Sequence, residues 1–213
     1  AAWEELVETL TANESRIFGA PGDFTPLFEI ETEPRWSRYA RAAPPAGRFR
    51  CLSAACGTGE EAYSLAIALA EARSRAPALE FEVLGVDLNA RAIAKARRAM
   101  YPASRASSLP DELKERYLVE RDGGISAEPL RSFVRFARIN LCEPGALSPL
   151  GEFELILARD FLPALTAEGR GIALSNLAHA LRPGGVLLLG AEDSPGGLDL
   201  GILPTRWGER LAY

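Results

Sequence analysis

Short apolar runs alternate with helical patterns from residue 48 onward, and this alternation limits the possible folds of the chain more than any other feature. Runs with strand character are Arg50–Ala55, Phe81–Val86, Phe133–Ile139, Phe153–Leu157 and Val186–Leu189. Helical patterns are present at Glu61–Arg73, Ala90–Met100 and Thr166–Leu181. Such alternation predicts the α/β fold class, with a mostly parallel sheet that helices cover on both faces.

Two stretches depart from the alternation and set the predicted domain boundaries. Residues 1–45 carry apolar side chains at helical spacing and predict a helical segment packed on the main domain, residues 46–213. Within about residues 101–138, a turn at Asp122–Gly124 predicts a small antiparallel β insertion. The tail Thr205–Tyr213 is a candidate last edge strand.

Charge and cysteine content exclude several classes of partner. The net charge of −5, from 24 basic and 29 acidic residues, leaves no surplus of cations for a phosphate backbone or a membrane surface, so neither nucleic acid nor membrane is expected as a partner. No apolar run approaches the roughly 18 residues that span a bilayer. Cys51, Cys56 and Cys142 lack metal-ligand spacing, which predicts reduced thiols in a cytoplasmic protein without a metal.

The strongest local signal is the stretch Ser53–Ser64, where a predicted strand runs into a glycine turn and then a helix. Gly57 and Gly59 let a ligand approach bare backbone. Together with Ala62 they fit the G-x-G-x-x-A dinucleotide pattern, for which Asp87 would be the ribose-binding acid. The pattern alone leaves the ligand open between a dinucleotide and S-adenosylmethionine.

Two acidic residues at the predicted helix start favour one of these ligands. A pyrophosphate needs the positive helix end and its free N–H groups, and the carboxylates of Glu60 and Glu61 would repel it. The same carboxylates would attract the ammonium of a methionine moiety or a sulfonium, so the sequence favours S-adenosylmethionine. In the alternative interpretation they only complement the helix N-terminus.

Further polar residues follow predicted strands at the edge where α/β sheets bind ligands. Asp87 could accept both hydroxyls of a ribose, or it could be the N-cap of the next helix, a role that Asn89 could fill as well. Asn140 offers a donor and an acceptor for an adenine edge, with Leu141 against the ring. The alternative for Asn140 is an ordinary turn asparagine.

In order and spacing, these segments resemble the CheR family, which methylates glutamate side chains of bacterial chemotaxis receptors. The similar stretches are Leu10–Phe18, Ala54–Ala66, Val86–Asp87, Asn140–Leu141, Ala158–Asp160 and Pro183–Glu192. The resemblance implies a Rossmann-like class I methyltransferase fold and a β-subdomain within residues 101–138 that contacts the receptor. It also implies a chemoreceptor's cytoplasmic region as the partner. Because the chain starts at Ala1 rather than methionine, further domains of the same polypeptide are expected outside it.

The resemblance also implies roles for individual residues. Those expected to hold the methyl donor, or its product S-adenosyl-L-homocysteine, are Ala55, Gly57, Glu60 or Glu61, Asp87, Asn140 and Leu141. Ser15 and Asp160 would lie close to the reacting end. No metal is implied.

Two positions depart from the family pattern near the expected methyl group. An arginine of the family aligns with Gly19, and a tyrosine aligns with Ala164. A glutamate carboxylate is ionised at pH 7, with a reference pKa of about 4.3, so methyl transfer needs orientation and removal of water more than acid–base help. Arg16 or Arg159 would then steer the carboxylate, although Arg159 could instead pair with Asp160 or Glu192.

Three functions are therefore weighed. The leading one is methylation of receptor glutamates. The second is a degenerate module that binds the donor or its product and regulates a partner, and it stays an alternative because Gly19 and Ala164 replace the family's arginine and tyrosine. An NAD-linked oxidoreductase is disfavoured by Glu60 and Glu61. The only histidine, His179, lacks nearby metal-ligand residues and is predicted to be structural or at the surface.

Overall fold

A five-stranded parallel sheet is the centre of the fold. A computed structural model of the chain describes residues 15–30, 33–40, 47–190, 193–195 and 198–213. The strands of the sheet are β1 (Phe49–Ala54), β2 (Phe81–Asp87), β6 (Val134–Arg138), β7 (Phe153–Ala158) and β8 (Leu181–Leu189). Their order is β6-β2-β1-β7-β8, so the chain starts in the middle, builds to one side and then to the other. This is a Rossmann-like order, and the direction of winding changes beside β1.

Helices cover both faces of the sheet, as the sequence predicts. The α-helices of the described residues are α1 (Thr25–Phe28), α2 (Ser37–Ala40), α3 (Glu60–Arg75), α4 (Ala90–Arg98), α5 (Asp111–Tyr117) and α6 (Ala167–His179). Successive strand residues point to opposite faces. Leu155 of β7 accordingly joins the core beneath α3, and Ile156 joins the core beneath α6. The α/β class is thereby confirmed.

The predicted antiparallel insertion is present as a separate small sheet. Its strands are β3 (Met100–Tyr101), β4 (Val119–Arg121) and β5 (Gly124–Ser126), in the order β3-β5-β4. The turn between β4 and β5 contains Gly123 and Gly124 with φ of 91° and 149°. Tyr101 Oη donates to the Thr58 carbonyl at 2.8 Å, so the insertion is tied to the glycine loop after β1.

The two ends of the described chain pack together beside the sheet. The C-terminal residues form a hairpin of β9 (Thr205–Trp207) and β10 (Arg210–Ala212). The Trp36 ring lies 5.0 Å from the Trp207 ring and 4.9 Å from the Phe49 ring of β1. The N-terminal segment thus shares a core with the sheet, and its described part forms single helical turns. The helical pattern near residues 1–10 lies outside the described residues, and the division at residue 45 stays a prediction.

Several element ends differ from the predicted ones for local reasons. Ala55 adopts φ of 55°, which ends β1 one residue early, and Ala99 at φ of 56° ends α4 at Arg98. β8 starts at Leu181 because a register irregularity accommodates the residues predicted as a turn. The tail forms a hairpin rather than one edge strand, and only its last residue, Tyr213, exchanges backbone hydrogen bonds with β8.

Gly85 in β2 offers a test of how tightly the sheet is packed. A Cβ at this position would lie 2.6 Å from the Phe136 ring and 2.9 Å from Cys56 Sγ. We expect Gly85→Ala to lower the free energy of unfolding by about 1–3 kcal/mol through overpacking. The matched control is Gly171→Ala in α6, where nothing lies within 4 Å of the added methyl group. Chemical denaturation should show the control as neutral or stabilised by about 0.5–1 kcal/mol. Equal stability of both variants would contradict the packing argument.

Candidate functional site

The loops that follow four parallel strands meet at one edge of the sheet. They bring together Ala55 and Gly57 after β1, Asp87 at the end of β2, Asn140 after β6 and Asp160 after β7. Open α/β sheets bind ligands at their carboxyl edge where the winding direction changes. Most of the predicted site residues thus occupy one region of the fold.

The glycine loop has an unusual backbone. Ala55, Gly57 and Gly59 all have positive φ, at 55°, 53° and 93°. A Cβ on Gly59 would lie 2.8 Å from Ala96 Cβ, so a glycine lets the start of α3 approach α4. Left-handed backbone at a non-glycine residue costs free energy and tends to occur where function requires it. Ala55 is such a residue, and it directly follows the central strand.

Asp87 holds the glycine loop against the end of β2. Its Oδ2 accepts a hydrogen bond from the Gly57 N–H at 2.8 Å, and its Oδ1 accepts one from the Asn89 N–H at 2.7 Å. Asn89 is the N-cap of α4, since its side chain accepts from the N–H groups of Arg91 and Ala92. The N-cap alternative for Asp87 is therefore wrong. Each carboxylate oxygen retains acceptor capacity beyond its backbone bond.

The two glutamates at the start of α3 differ in their partners. Glu60 is buried, and its Oε2 accepts from Thr58 Oγ1 at 2.6 Å, while its Oε1 lies 3.9 Å from Arg105 Nη1. Glu61 has a partner on each oxygen, namely Ser53 Oγ at 2.7 Å and Arg159 Nε at 2.6 Å. Among the described residues, the Glu60 carboxylate is thus the less occupied of the two.

Arg159 is held between two carboxylates. Its Nε donates to Glu61, and its Nη1 donates to Asp23 Oδ2 at 2.6 Å. Burial acts to lower the pKa of this guanidinium, but the charges of Glu61 and Asp23 outweigh it, so the pKa is raised. Neither of these partners is Asp160, one of the two acids named above as an alternative for Arg159, and the other, Glu192, lies outside the described residues. Arg159 is therefore less open to an incoming carboxylate than the sequence suggested.

Asp23 was missed by the sequence analysis. It is almost fully buried, and besides Arg159 its carboxylate binds Arg210 of the C-terminal hairpin. The Asp23 carbonyl accepts from Trp207 Nε1 at 2.7 Å. In the sequence, Asp23 stands out only as an acidic residue among apolar ones. This pattern does not reveal that it pairs with Arg159, which is 136 residues away.

Arg105, in the insertion, was also missed. Its side chain donates to the Ser15 carbonyl, and its own carbonyl accepts from the Ile17 N–H at 2.9 Å. Ser64 Oγ of α3 accepts from the Phe18 N–H at 2.9 Å. These bonds place Ser15 beside the start of α3. The Arg16 side chain between them is exposed.

The remaining predicted residues have mainly local partners. Asn140 Oδ1 accepts from the Cys142 N–H at 3.0 Å and its Nδ2 donates to Glu143 at 3.2 Å, a geometry typical of a turn asparagine. Leu141 is buried beside it. Asp160 is exposed, has φ of 62° and donates its N–H to Asp193 Oδ2 at 3.1 Å.

His179 lies apart from this site, and Cys51 and Cys56 are buried. His179 is in the last turn of α6, with Nδ1 2.7 Å from the Ser175 carbonyl oxygen. Burial raises the pKa of the Cys51 and Cys56 thiols. Within the described ranges we find neither a group of acidic, histidine and cysteine residues suited to a metal nor a helix long and apolar enough to cross a bilayer.

The family match and the similar proteins point to the same family. Residues 13–197 match the family described as CheR methyltransferase, SAM binding domain. A chemotaxis protein methyltransferase of Salmonella typhimurium is 29% identical over 199 residues, which is 91% of this chain and 65% of that protein. Chemotaxis protein methyltransferase Cher2 of Pseudomonas putida is 30% identical, over 92% of this chain and 70% of that protein.

A third relative has a different stated role. The probable biofilm formation methyltransferase WspC of Pseudomonas putida is 32% identical over 213 residues, covering 99% of this chain and 48% of that protein. The chain thus spans between about half and 70% of the length of these three relatives.

The position of Arg159 between two carboxylates generates a prediction for Arg159→Lys. An ammonium keeps the charge but loses the planar fork, so it should lose one of the two charge-assisted hydrogen bonds and about 1.5–3 kcal/mol of stability. The control is Arg121→Lys, whose ion pair with Glu128 is about half exposed on both sides. Thermal unfolding should place the control within about 0.5 kcal/mol of the parent. If Arg159→Lys lost as little stability as the control, the pairing of Arg159 with its two carboxylates would contribute little to stability.

Proposed function

The chain belongs to the CheR methyltransferase family, and on that premise we propose that it transfers a methyl group from S-adenosylmethionine to glutamate side chains of a chemoreceptor's cytoplasmic region. The observation that carries the proposal is the Asp87 carboxylate, fixed by the Gly57 N–H at the edge of the sheet beside two glutamates. Relatives named as chemotaxis methyltransferases support the substrate class. The protein would act in the cytoplasm, where that part of the receptor lies.

The residues present fit the proposed donor. Asp87 would accept the ribose hydroxyls, because its two oxygens are oriented by backbone bonds and retain acceptor capacity. Glu60 would bind the ammonium of the methionine moiety, since its Oε1 has only a distant charged neighbour in Arg105. Leu141 would lie against the adenine, with the Asn140 amide nearby. When bound, the donor supplies an electrophilic methyl group on a positive sulfur, and no metal is required.

The chain's own residues would then orient a carboxylate that is already ionised. Arg159 holds Glu61 in place and is neutralised by two acids, which makes it a positioning residue in this proposal. Arg16 is exposed and follows Ser15 directly, so it is the candidate to steer the acceptor. Asp160, at a strained φ of 62° after β7, would lie close to the reacting methyl group.

A second candidate is a module that binds donor or product with little catalysis. The observation that favours it is the pairing of Arg159, because Gly19 and Ala164 supply no replacement for an arginine clamp. This candidate and the enzyme predict the same binding and differ only in turnover.

Asp87→Ala should weaken binding of S-adenosylhomocysteine at least tenfold, as expected from losing a charge-assisted hydrogen bond of roughly 1.5–3 kcal/mol. Calorimetric titration measures the affinity, with NAD as a ligand that should not bind. The matched control is Asp122→Ala, which removes an exposed carboxylate from the turn between β4 and β5. Should a folded Asp87→Ala protein bind as tightly as the control, the ribose assignment is wrong.

Turnover is tested with radiolabelled S-adenosylmethionine and a chemoreceptor cytoplasmic fragment. A glutamyl methyl ester is distinguished from methylated nitrogen by its release as methanol in base. We expect slow transfer, because the positions of Gly19 and Ala164 lack the side chains that would orient the acceptor. Arg159→Lys should weaken donor affinity as well as turnover if Arg159, through Glu61, orients the first turn of α3 that also carries Glu60. Lower turnover with unchanged donor affinity would instead make Arg159 a substrate clamp, and no base-labile label at any enzyme concentration would leave only the binding module.

A further inference from the structure

Two neighbouring stretches of this acidic protein carry only positive charge. Residues 88–100 and 131–139 contain seven basic residues and no acidic residue, although the whole chain has a net charge of −5. All seven are exposed. Five of them, the four of α4 and the one on the same face of β6, form what we call the basic face: Arg91, Lys95, Arg97, Arg98 and Arg138.

The two stretches lie side by side in the fold. α4 packs against β6, which is the last strand on its side of the sheet. Arg97 Nη2 donates to the Phe136 carbonyl at 2.7 Å, and Arg138 Nε donates to the Leu88 carbonyl at 3.0 Å. These two bonds join helix and strand at two levels. Arg138 lies on the face of β6 that α4 covers, so it continues the row of basic residues on α4, whereas Arg135 points to the other face and lies beside Glu80 and Glu82.

Exposed apolar side chains lie at both ends of this surface. Leu88 lies two residues before α4 and is 39% exposed, and Met100 lies two residues after it and is 40% exposed. The helix of nine residues between them is about 13.5 Å long at 1.5 Å per residue. A positive stripe with an apolar contact at each end has the chemistry that would suit an acidic, amphipathic helix.

We propose that the basic face is a docking surface for an acidic helical segment of the protein substrate. The inference rests on the proposed function, since glutamates to be methylated would lie on such a segment. Location supports it, because Leu88 directly follows Asp87, which pairs in register with Arg138. The face therefore begins at the donor site and runs away from it. An acidic helix bound there would keep its neighbouring glutamates near the donor without contacting the reacting atoms.

Two structural roles compete with docking. Lys95, Arg97 and Arg98 lie in the last turn of α4, where cations favour the negative helix end. Arginines on the edge strand β6 also discourage pairing with another sheet. Both roles would affect stability or self-association, and neither would affect binding of an acidic partner.

The test reverses charge at two exposed positions of α4. Arg91→Glu in its first turn and Lys95→Glu in its last turn are compared with Arg206→Glu, an equal charge change at an exposed residue of β9 near the opposite side of the sheet. The probes are a chemoreceptor cytoplasmic fragment and a synthetic helical peptide with a glutamate-rich face. Interferometry measures binding without turnover, and methyl-transfer kinetics give kcat and KM.

We expect each basic-face variant to weaken probe binding and raise KM about fivefold at low salt, with donor affinity and kcat unchanged. The difference from the parent should shrink as salt is raised from about 0.05 to 0.3 M, because screening removes the attraction. Arg206→Glu should match the parent. Arg91→Glu keeps the test valid if Lys95→Glu is poorly folded, since it leaves the last turn of α4 intact.

Three outcomes would overturn the proposal. One is a loss in Arg206→Glu equal to that in the basic-face variants, and another is unchanged probe binding in folded variants. The third is binding of duplex DNA or anionic vesicles that depends on these residues while the acidic probes do not bind. Failure of the proposed function is distinguishable, because probe binding through the face without any methyl transfer would sink the activity and leave the docking surface supported.

Discussion

The partly buried guanidinium of Arg159 connects parts of the molecule that are distant along the chain. It binds Glu61 at the start of α3 and Asp23 in the N-terminal segment, and Asp23 in turn binds Arg210 of the C-terminal hairpin. Charges this deeply placed are tolerated only when each has partners. The orientation of the first turn of α3 therefore depends on both ends of the described chain.

The glycine loop depends on a second fixed contact, between Asp87 and the Gly57 N–H. Three residues with positive φ turn the chain from β1 into α3 within five positions, and Gly59 lets the turn approach Ala96. The Asp87 carboxylate holds this turn against β2 and presents its remaining acceptor capacity at the same edge. One side chain thus serves the backbone and the proposed ligand together.

Acidic and basic residues are concentrated in different parts of the molecule, which the net charge alone does not show. Glu60, Glu61, Asp87 and Asp160 lie at the carboxyl edge, which suits a cationic donor. The neighbouring edge formed by α4 and β6 is entirely basic, which suits an acidic partner. A net charge of −5 argued against a nucleic-acid partner, but it did not reveal that α4 and β6 carry basic residues and no acidic residue.

The sequence by itself determined the α/β class, the glycine loop, the antiparallel insertion and Asp87 at a strand end. These follow from short-range patterns, because apolar periodicity and glycine placement act over a few residues. The sequence did not predict that β1 ends before Ala55 and α4 before Ala99, because left-handed backbone at an alanine depends on the surrounding packing. Only the tertiary structure decided the partners of Arg159 and Arg105, which are reached across 136 and 90 residues. Nothing in a local pattern specifies such pairs, because a charged side chain is compatible with any opposite charge that the fold brings within reach.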